Sequence, residues 1–392
     1  MAGQNDCTPI EPIETLIHHG IPPPLQTGKS KPPQNASTRN VLDIPRKSGL
    51  LTPRELEITE NYDATELVRL MCTLQLSSVD VVTAFRKRAA IAQQCLSCLT
   101  EIMFDEALAT ARECDEYLAR HGRPKGNLHG LPISVKDSTT DSALVQILRD
   151  AGAVFYVKTN LPQTIMTADS HNHIFGRTLN PHNLSFTAGG SSGGEAALVA
   201  MRGSVLGVAT DIAGSTRIPA LCCGVSSIKQ TASRLPFAGQ VMPGKLLSPG
   251  AIAPVIGPCG HSIRDYELFM RTRSVQPETR KLRFGLLRGF SQRPLRPPIA
   301  RALHSVATML KNHGHELVLL DDKVPNLYDT AVLSWKYFML DTQKTAMKNI
   351  KASGEPPIPS LAITGFSQLE GWEATLDKLF DMNVERATIS RA

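Results

Sequence analysis

Apolar residues recur every three or four positions in the first part of the folded chain, which predicts amphipathic helices. They are Leu67, Leu70, Met71 and Leu74, then Val81, Val82, Phe85, Ala89 and Ile91. Asp63-x-x-Glu66 is typical of a capping box at the start of the first helix, and Ser78 is placed to cap the second. A third helix is predicted from about Phe104 to a stop at Gly122.

The period changes at Leu131, where short apolar runs begin to alternate with helical patterns. A strand at 131–136, a helix at 142–150 and a strand at 153–157 form a β-α-β unit, which is normally parallel and right-handed. A second such unit has a strand at 281–287, a helix at 298–314 and a strand at 316–320. The predicted fold class is therefore α/β, with a mixed, mainly parallel sheet covered by helices.

Composition predicts how the chain divides into domains and which classes of partner are excluded. Residues 1–54 are rich in proline and polar residues, which predicts an extended arm before one domain at 55–392. That domain divides into a helical lead-in at 55–122, a core at 123–275 and a C-terminal β-α-β unit with helices at 276–392. A net charge of +6 without basic runs, and the lack of a signal sequence or a long apolar stretch, favour a cytoplasmic protein that binds neither nucleic acid nor membrane.

The most informative segment is Thr187–Glu195, in which four glycines flank two serines. A second glycine-serine turn, Ala213-Gly214-Ser215, follows a predicted strand at 205–209. Backbone N–H groups in such turns can converge on an anionic oxygen, as an oxyanion hole requires. An anion-binding nest and simple tight turns are the alternatives for the glycine cluster alone.

Two enzyme templates compete on residue pattern alone. A phosphate-binding P-loop requires a lysine after its glycines, and none is present. Gly190-Ser191-Ser192-Gly193-Gly194 satisfies G-x-S-x-G, which makes Ser192 the nucleophile of an α/β-hydrolase-type esterase. That template requires a buried strand just before the serine, whereas residues 180–186 have a loop-like composition.

A third template matches more of the chain. The segment from Gly130 to Asp137, the glycine-serine block at 187–195 and the segment from Thr210 to Ala220 occur in the order and spacing of the amidase signature family. From about residue 55 onward the sequence resembles the fungal acetamidase and general amidase branch, apparently shortened and C-terminally incomplete. The resemblance implies an amidohydrolase that cleaves a carboxylic acid amide to an acid and ammonia or an amine.

The resemblance also implies roles for individual residues. Ser215 is the nucleophile, Ser191 is a bridging serine that follows a cis peptide bond, and Lys136 is the terminal base. A serine hydroxyl requires such a base, and lysine can serve only when burial keeps it uncharged. From composition alone Lys158, which also ends a predicted strand, is an equal candidate for the base.

Supporting roles fall on the residues around the nucleophile. The resemblance implies an oxyanion hole and substrate contacts from Ile212, Ala213, Gly214 and Ser192, with the Ser215 N–H as a further oxyanion donor. Ser192 is also the second choice for the bridging serine. Asp211 and Arg217 are expected to fix the nucleophile turn through an ion pair. We expect a small-molecule amide as substrate, no metal, no organic cofactor, and possible homo-oligomers.

The chain departs from the family pattern in ways that leave a second hypothesis open. Only residues 138–141 join the first strand to its helix, where the family has a longer segment that walls the acyl pocket. Alanines replace the usual glycines at Ala209 and Ala213, and alanine is costly if its φ is positive. The alternative is therefore a shortened, catalytically inactive amidase-like protein.

Overall fold

A computed structural model of the protein describes residues 39–139, 141–244, 252–273, 281–289, 294–321, 323–363 and 369–391. The chain divides into two compact units between residues 275 and 276, and residues 349–363 belong to the larger, first unit. Within the described chain, no helix is long and apolar enough to cross a membrane.

The first unit combines helices and strands. Its helices are α1 Ile44–Lys47, α2 Pro53–Asn61, α3 Ala64–Cys72, α4 Ser78–Leu96, α5 Phe104–His121, α6 Ala143–Asp150, α7 Gly193–Ala200, α8 Arg217–Cys223 and α9 Ile263–Met270. Its strands are β1 Leu99–Ile102, β2 Pro132–Lys136, β3 Val154–Thr159, β4 His171–Asn172, β5 Gly176–Arg177, β6 Leu179–Asn180, β7 Asn183–Thr187, β8 Leu206–Asp211, β9 Ser226–Ser227 and β10 Val255–Gly260.

A mixed sheet forms the centre of the first unit, with strand order β1-β3-β2-β8-β10-β9. Strands β3, β2 and β8 run parallel, whereas β1 and β10 add to the sheet antiparallel. The predicted β-α-β unit of β2, α6 and β3 is confirmed, and so is the α/β class. Every residue of β2 and β8 is buried, because the sheet is covered on both faces.

The three predicted lead-in helices are present as α3, α4 and α5, and they pack in the main hydrophobic core. Asp63 caps α3 by accepting from the Glu66 N–H at 2.9 Å. The prediction that Ser78 caps α4 is wrong, because Ser77 accepts from the Asp80 N–H instead. Residues 1–38 of the predicted arm lie outside the described residues, and the rest of the arm contains α1.

The second unit contains the other predicted β-α-β arrangement. Strands β11 (Arg283–Leu286) and β12 (Glu316–Leu319) are parallel and are connected by α10 (Pro297–Asn312), which confirms that prediction. The remaining helices are α11 Leu327–Phe338, α12 Thr345–Ser353, which begins in this unit and ends in the first, and α13 Leu376–Arg391. Tyr337 of α11 donates to Asn383 of α13 at 2.9 Å.

Candidate active site

Lys136 is the last residue of β2, and its side chain is completely buried. Its Nζ lies 2.7 Å from the hydroxyl of Ser191 and 3.0 Å from the hydroxyl of Thr210 on the neighbouring strand β8. The structure thus brings together two of the three predicted catalytic side chains. Thr210 is a partner that the sequence analysis did not identify.

Ser191 occupies the turn that leads into α7, where its side chain is fully buried and its peptide bond with Gly190 is cis. The turn requires glycine at position 190. A Cβ there would lie 2.4 Å from the carbonyl oxygen of Thr167 and 2.6 Å from the nitrogen of Asp169, closer than real side chains approach. The glycine therefore lets the Ser191 turn pack directly against the backbone of residues 167–169.

Ser215 lies in the turn after β8, beside the Ser191 turn. The Ser192 N–H donates to the carbonyl of Ser215 at 3.0 Å, and the Ser192 hydroxyl donates to the carbonyl of Thr210 at 3.3 Å. Ser192 thus ties the two turns together. Ser215 is partly exposed whereas Ser191 is buried, and among the described residues no hydrogen bond joins their hydroxyls.

The nucleophile turn is organised by Asp211, the last residue of β8. Its carboxylate accepts the Gly214 N–H at 2.8 Å and the Thr216 N–H at 3.2 Å, and it forms two hydrogen bonds of 3.0 Å with the Arg217 guanidinium. The predicted Asp211–Arg217 ion pair is therefore confirmed. Burial opposes ionisation of Asp211, but Arg217 and the two N–H donors outweigh it and hold the pKa of this carboxyl below its usual value.

The predicted oxyanion donors differ in their availability. The Gly214 N–H is already engaged by Asp211. The N–H groups of Ile212, Ala213 and Ser215 donate to no acceptor within the described chain. Within this turn the positive φ, 128°, belongs to Gly214. Ala213 is not among the described residues with positive φ, so an alanine at position 213 causes no backbone strain of this kind.

Burial sets the electrostatics at Lys136. Loss of solvation lowers the pKa of this lysine to about 7, although the negative charges of Asp211 and Glu195 act in the opposite direction. Lys158, the alternative base, lies on β3 and has its ammonium 2.9 Å from the carboxylate of Glu101. Of the two candidate lysines, Lys136 is the one that contacts the serine turns.

The short connection after Lys136 is covered by another part of the chain. Thr139 forms a bridge with Gln240, and its hydroxyl donates to the Gln240 side chain at 3.0 Å. The Val241 N–H donates to the carbonyl of Ser138 at 2.9 Å. Ser138 and Thr139 are both buried, so the segment at 240–241 shields the end of β2, where the family pattern has a longer connection.

Ser192, the nucleophile of the esterase alternative, is almost completely buried. Its hydroxyl donates to a backbone carbonyl, and no histidine among the described residues forms a hydrogen bond with it. The neighbours of Ser192 therefore lack the base that the α/β-hydrolase template requires.

The described residues contain no group of three or more His, Cys, Asp or Glu side chains arranged to hold a metal ion.

Fold and site together define an α/β protein with a buried lysine and two serine turns, an arrangement suited to acyl transfer. The family model described as Amidase matches residues 80–387. The chain is 38% identical to "Amidase" of Gibberella moniliformis, covering 83% of this chain and 68% of that protein. It is 37% identical to "Acetamidase" of Aspergillus oryzae, with coverage of 86% and 71%.

A solved structure of a fatty acid amide hydrolase superposes with a TM-score of 0.75 at 30% identity, covering 97% of this chain and 70% of that one. The chain therefore belongs to the amidase family, which confirms the resemblance found in the sequence. Its reaction class is accordingly the hydrolysis of amide bonds.

Proposed function

We propose that the protein cleaves a carboxylic acid amide through an acyl-enzyme, with Ser215 as nucleophile, Ser191 as proton relay and Lys136 as base. The observation that carries this proposal is the 2.7 Å contact between the fully buried Lys136 Nζ and the Ser191 hydroxyl. Ser192 supports it, because its N–H holds the backbone of Ser215 beside the Ser191 turn.

In the first half-reaction the Ser215 Oγ attacks the amide carbon. The Ser215 proton passes to Ser191 while the Ser191 proton passes to the uncharged Lys136 Nζ. When the tetrahedral intermediate collapses, the C–N bond breaks and the lysinium returns a proton through Ser191 to the departing nitrogen. The products of this half-reaction are ammonia or an amine and an ester between the acyl group and Ser215.

In the second half-reaction water attacks the ester carbon. Its proton follows the same relay to Lys136, and the same proton is then returned to Ser215 as the carboxylic acid leaves. The free N–H groups of Ile212, Ala213 and Ser215 support an oxyanion hole in both steps. One such donor is worth about 3 kcal/mol of barrier in other serine enzymes.

We infer that the substrate is a small-molecule amide. The relatives named acetamidase favour a short aliphatic acyl group, because they are 37% and 38% identical to this chain over the aligned residues. The comparison of turnover for acetamide, a longer aliphatic amide and an aryl amide tests this inference. Equal turnover of all three would contradict a pocket built for a short chain.

A fluorophosphonate probe tests the catalytic assignment, because it labels only an activated serine. We expect the wild type to be labelled, Ser215→Ala to be unlabelled and Lys136→Met to be labelled at least about 1,000-fold more slowly. Lys158→Ala is the matched control, since this lysine is paired with Glu101, and its labelling should equal that of the wild type.

Each alternative function gives a different result. Labelling that survives in Ser215→Ala but is lost in Ser192→Ala would support the esterase assignment. A wild-type protein that shows a cooperative thermal transition but takes no label would support an inactive amidase-like protein.

A further inference from the structure

Glu195 is an ionisable side chain that the catalytic relay does not use. It lies in the first turn of α7, and its side chain is completely buried. One carboxyl oxygen, Oε1, is hydrogen-bonded to the hydroxyl of Ser134, and the other, Oε2, accepts from Thr159 at 2.7 Å. The carboxyl group is therefore held by side chains from two strands of the central sheet.

These two strands connect Glu195 to the base. Ser134 precedes Lys136 by two residues on β2, so the two side chains leave the same face of the strand. Thr159 is the β3 residue paired with Lys136. Glu195 thus holds both the strand that carries the lysine and the residue beside it.

The surroundings of Glu195 do not suit a carboxylate. Among the residues that the structure describes, no cation lies within 4 Å of it, and Lys136 Nζ contacts hydroxyls rather than the carboxyl group. A buried carboxylate without a paired cation is energetically costly. Desolvation, the largest effect, accordingly raises the pKa of Glu195 to about 7, although the Thr159 hydroxyl and the charge of Lys136 act in the opposite direction.

The hydroxyl groups next to Glu195 also favour a protonated carboxyl group. Ser134 Oγ lies 2.7 Å from Ser204 Oγ, which in turn donates to the carbonyl of Leu206 at 3.1 Å. Each hydroxyl has one proton, so Ser204 uses its proton on Leu206 and Ser134 uses its proton on Ser204. In this arrangement the proton between Ser134 and Oε1 comes from Glu195. The opposite direction would leave two acceptor oxygens, on Ser204 and Leu206, in contact without a proton.

We propose that Glu195 is a positioning residue held as a neutral carboxylic acid, which orients β2 beneath Lys136 and leaves that lysine uncharged. The statement that Glu195 leaves Lys136 uncharged rests on the proposed function, because it takes Lys136 as the base. The active arrangement has a proton on Glu195 and none on Lys136 beyond those of the free amine, since an ammonium at Lys136 cannot accept a proton from Ser191.

Other titratable groups around the pair do not compete for this proton. Burial raises the pKa of Cys98, Tyr156 and Cys259, so all three are neutral where the pair titrates. Asp211 acts on Lys136 but is already paired with Arg217. The charge state of this pocket is therefore set by Lys136 and Glu195.

The sheet makes room for the carboxyl group at Gly207, the β8 residue opposite Ser134. A Cβ at Gly207 would lie 2.0 Å from Oε1 of Glu195. Any side chain at this position would displace the carboxyl oxygen that contacts Ser134. Gly207 is thus part of the same arrangement as Glu195.

Infrared difference spectroscopy tests the protonation state without reference to activity. Near pH 6, the spectrum of the wild type minus Glu195→Gln should contain the carbonyl stretch of a neutral carboxylic acid. Glu101→Gln is the matched control, because Glu101 is exposed and paired with Lys158, and its difference spectrum should show loss of a carboxylate band. A carboxylate band in the Glu195→Gln difference spectrum would overturn the proposal.

The pH dependence of fluorophosphonate labelling tests the effect on Lys136. The glutamine can donate to Ser134 and accept from Thr159 as the neutral acid does, so Glu195→Gln should leave the midpoint of the acid limb in place and slow labelling less than about tenfold. A limb displaced to lower pH would show that wild-type Glu195 is a carboxylate and would overturn the proposal. A neutral-acid infrared band in a protein that takes no label would instead refute the proposed function alone.

Discussion

The acylation rate should follow the protonation of Lys136, because only the uncharged amine can accept a proton through Ser191. Burial lowers the pKa of this lysine to about 7. About half of the molecules then carry the free base near pH 7, and about one tenth do so one pH unit lower. The rate should therefore fall about fivefold over that unit and about tenfold for each further unit of acidification.

The assay is the pseudo-first-order rate of fluorophosphonate labelling, measured from about pH 5 to pH 9, with fold monitored by circular dichroism at each pH. This rate reports attack by the serine and is independent of product release. Lys158→Ala should reproduce the wild-type profile. Lys136→Met should label slowly and without an acid limb, because the titrating group is gone.

A rate that stays constant from pH 6 to pH 9 would refute the reasoning, because a lysine base must lose activity as it gains a proton. An acid limb that persists in Lys136→Met would also refute it, since another group would then be responsible. Either result would mean that a different base or a different nucleophile is responsible for the labelling.

Four substitutions test separate parts of the site. Lys136→Met should raise the free energy of unfolding near pH 7 by a few kcal/mol in denaturant titrations. The unfolded chain protonates this lysine up to about pH 10.4, so wild-type stability should rise from pH 7 towards that value and the variant should lack the slope. Gly190→Ala should slow labelling at least about 100-fold, because its Cβ would collide with the backbone at Thr167. Asp211→Asn should slow labelling about tenfold or more, while Arg217→Gln, which removes a half-exposed partner, should have a smaller effect.

Periodicity was sufficient to predict the parallel core of the sheet. Strands β2 and β3 are short and largely apolar, an amphipathic helix with a serine cap separates them, and each of these signals is local. The antiparallel strands escaped prediction for physical reasons. β1 has only four residues, and β10 contains two glycines and a proline, so neither has the composition of a typical strand.

The candidate site was predictable where motif and resemblance coincide. Lys136, Ser191 and Ser215 come from three segments whose order identifies the family, although their spacing in the sequence says nothing of contact. Thr210 was missed because a threonine inside a buried strand has the ordinary β-branched composition of a strand. Its role depends on the pairing of β8 with β2, which only the tertiary structure provides.

Glu195 was also missed as a functional residue, although the sequence holds a signal for it. It is the one charged residue in α7, a helix of glycine, alanine and other apolar residues whose first seven positions are all buried. Burial of a carboxyl group in such a helix is costly unless it is protonated or paired. A lone acidic residue in an otherwise apolar buried helix therefore indicates a partner elsewhere in the core.

Lys136 and Glu195 together explain how this fold can hold a lysine base in a dry interior. A single buried ammonium would require a counter-ion, and a buried ion pair would keep the lysine charged and unable to act as a base. An uncharged amine and an uncharged acid, each hydrogen-bonded to hydroxyl groups, avoid both costs. Desolvation shifts the two pKa values in opposite directions, and each shift favours the neutral form. The burial of Lys136 thus also favours the uncharged form that a base requires.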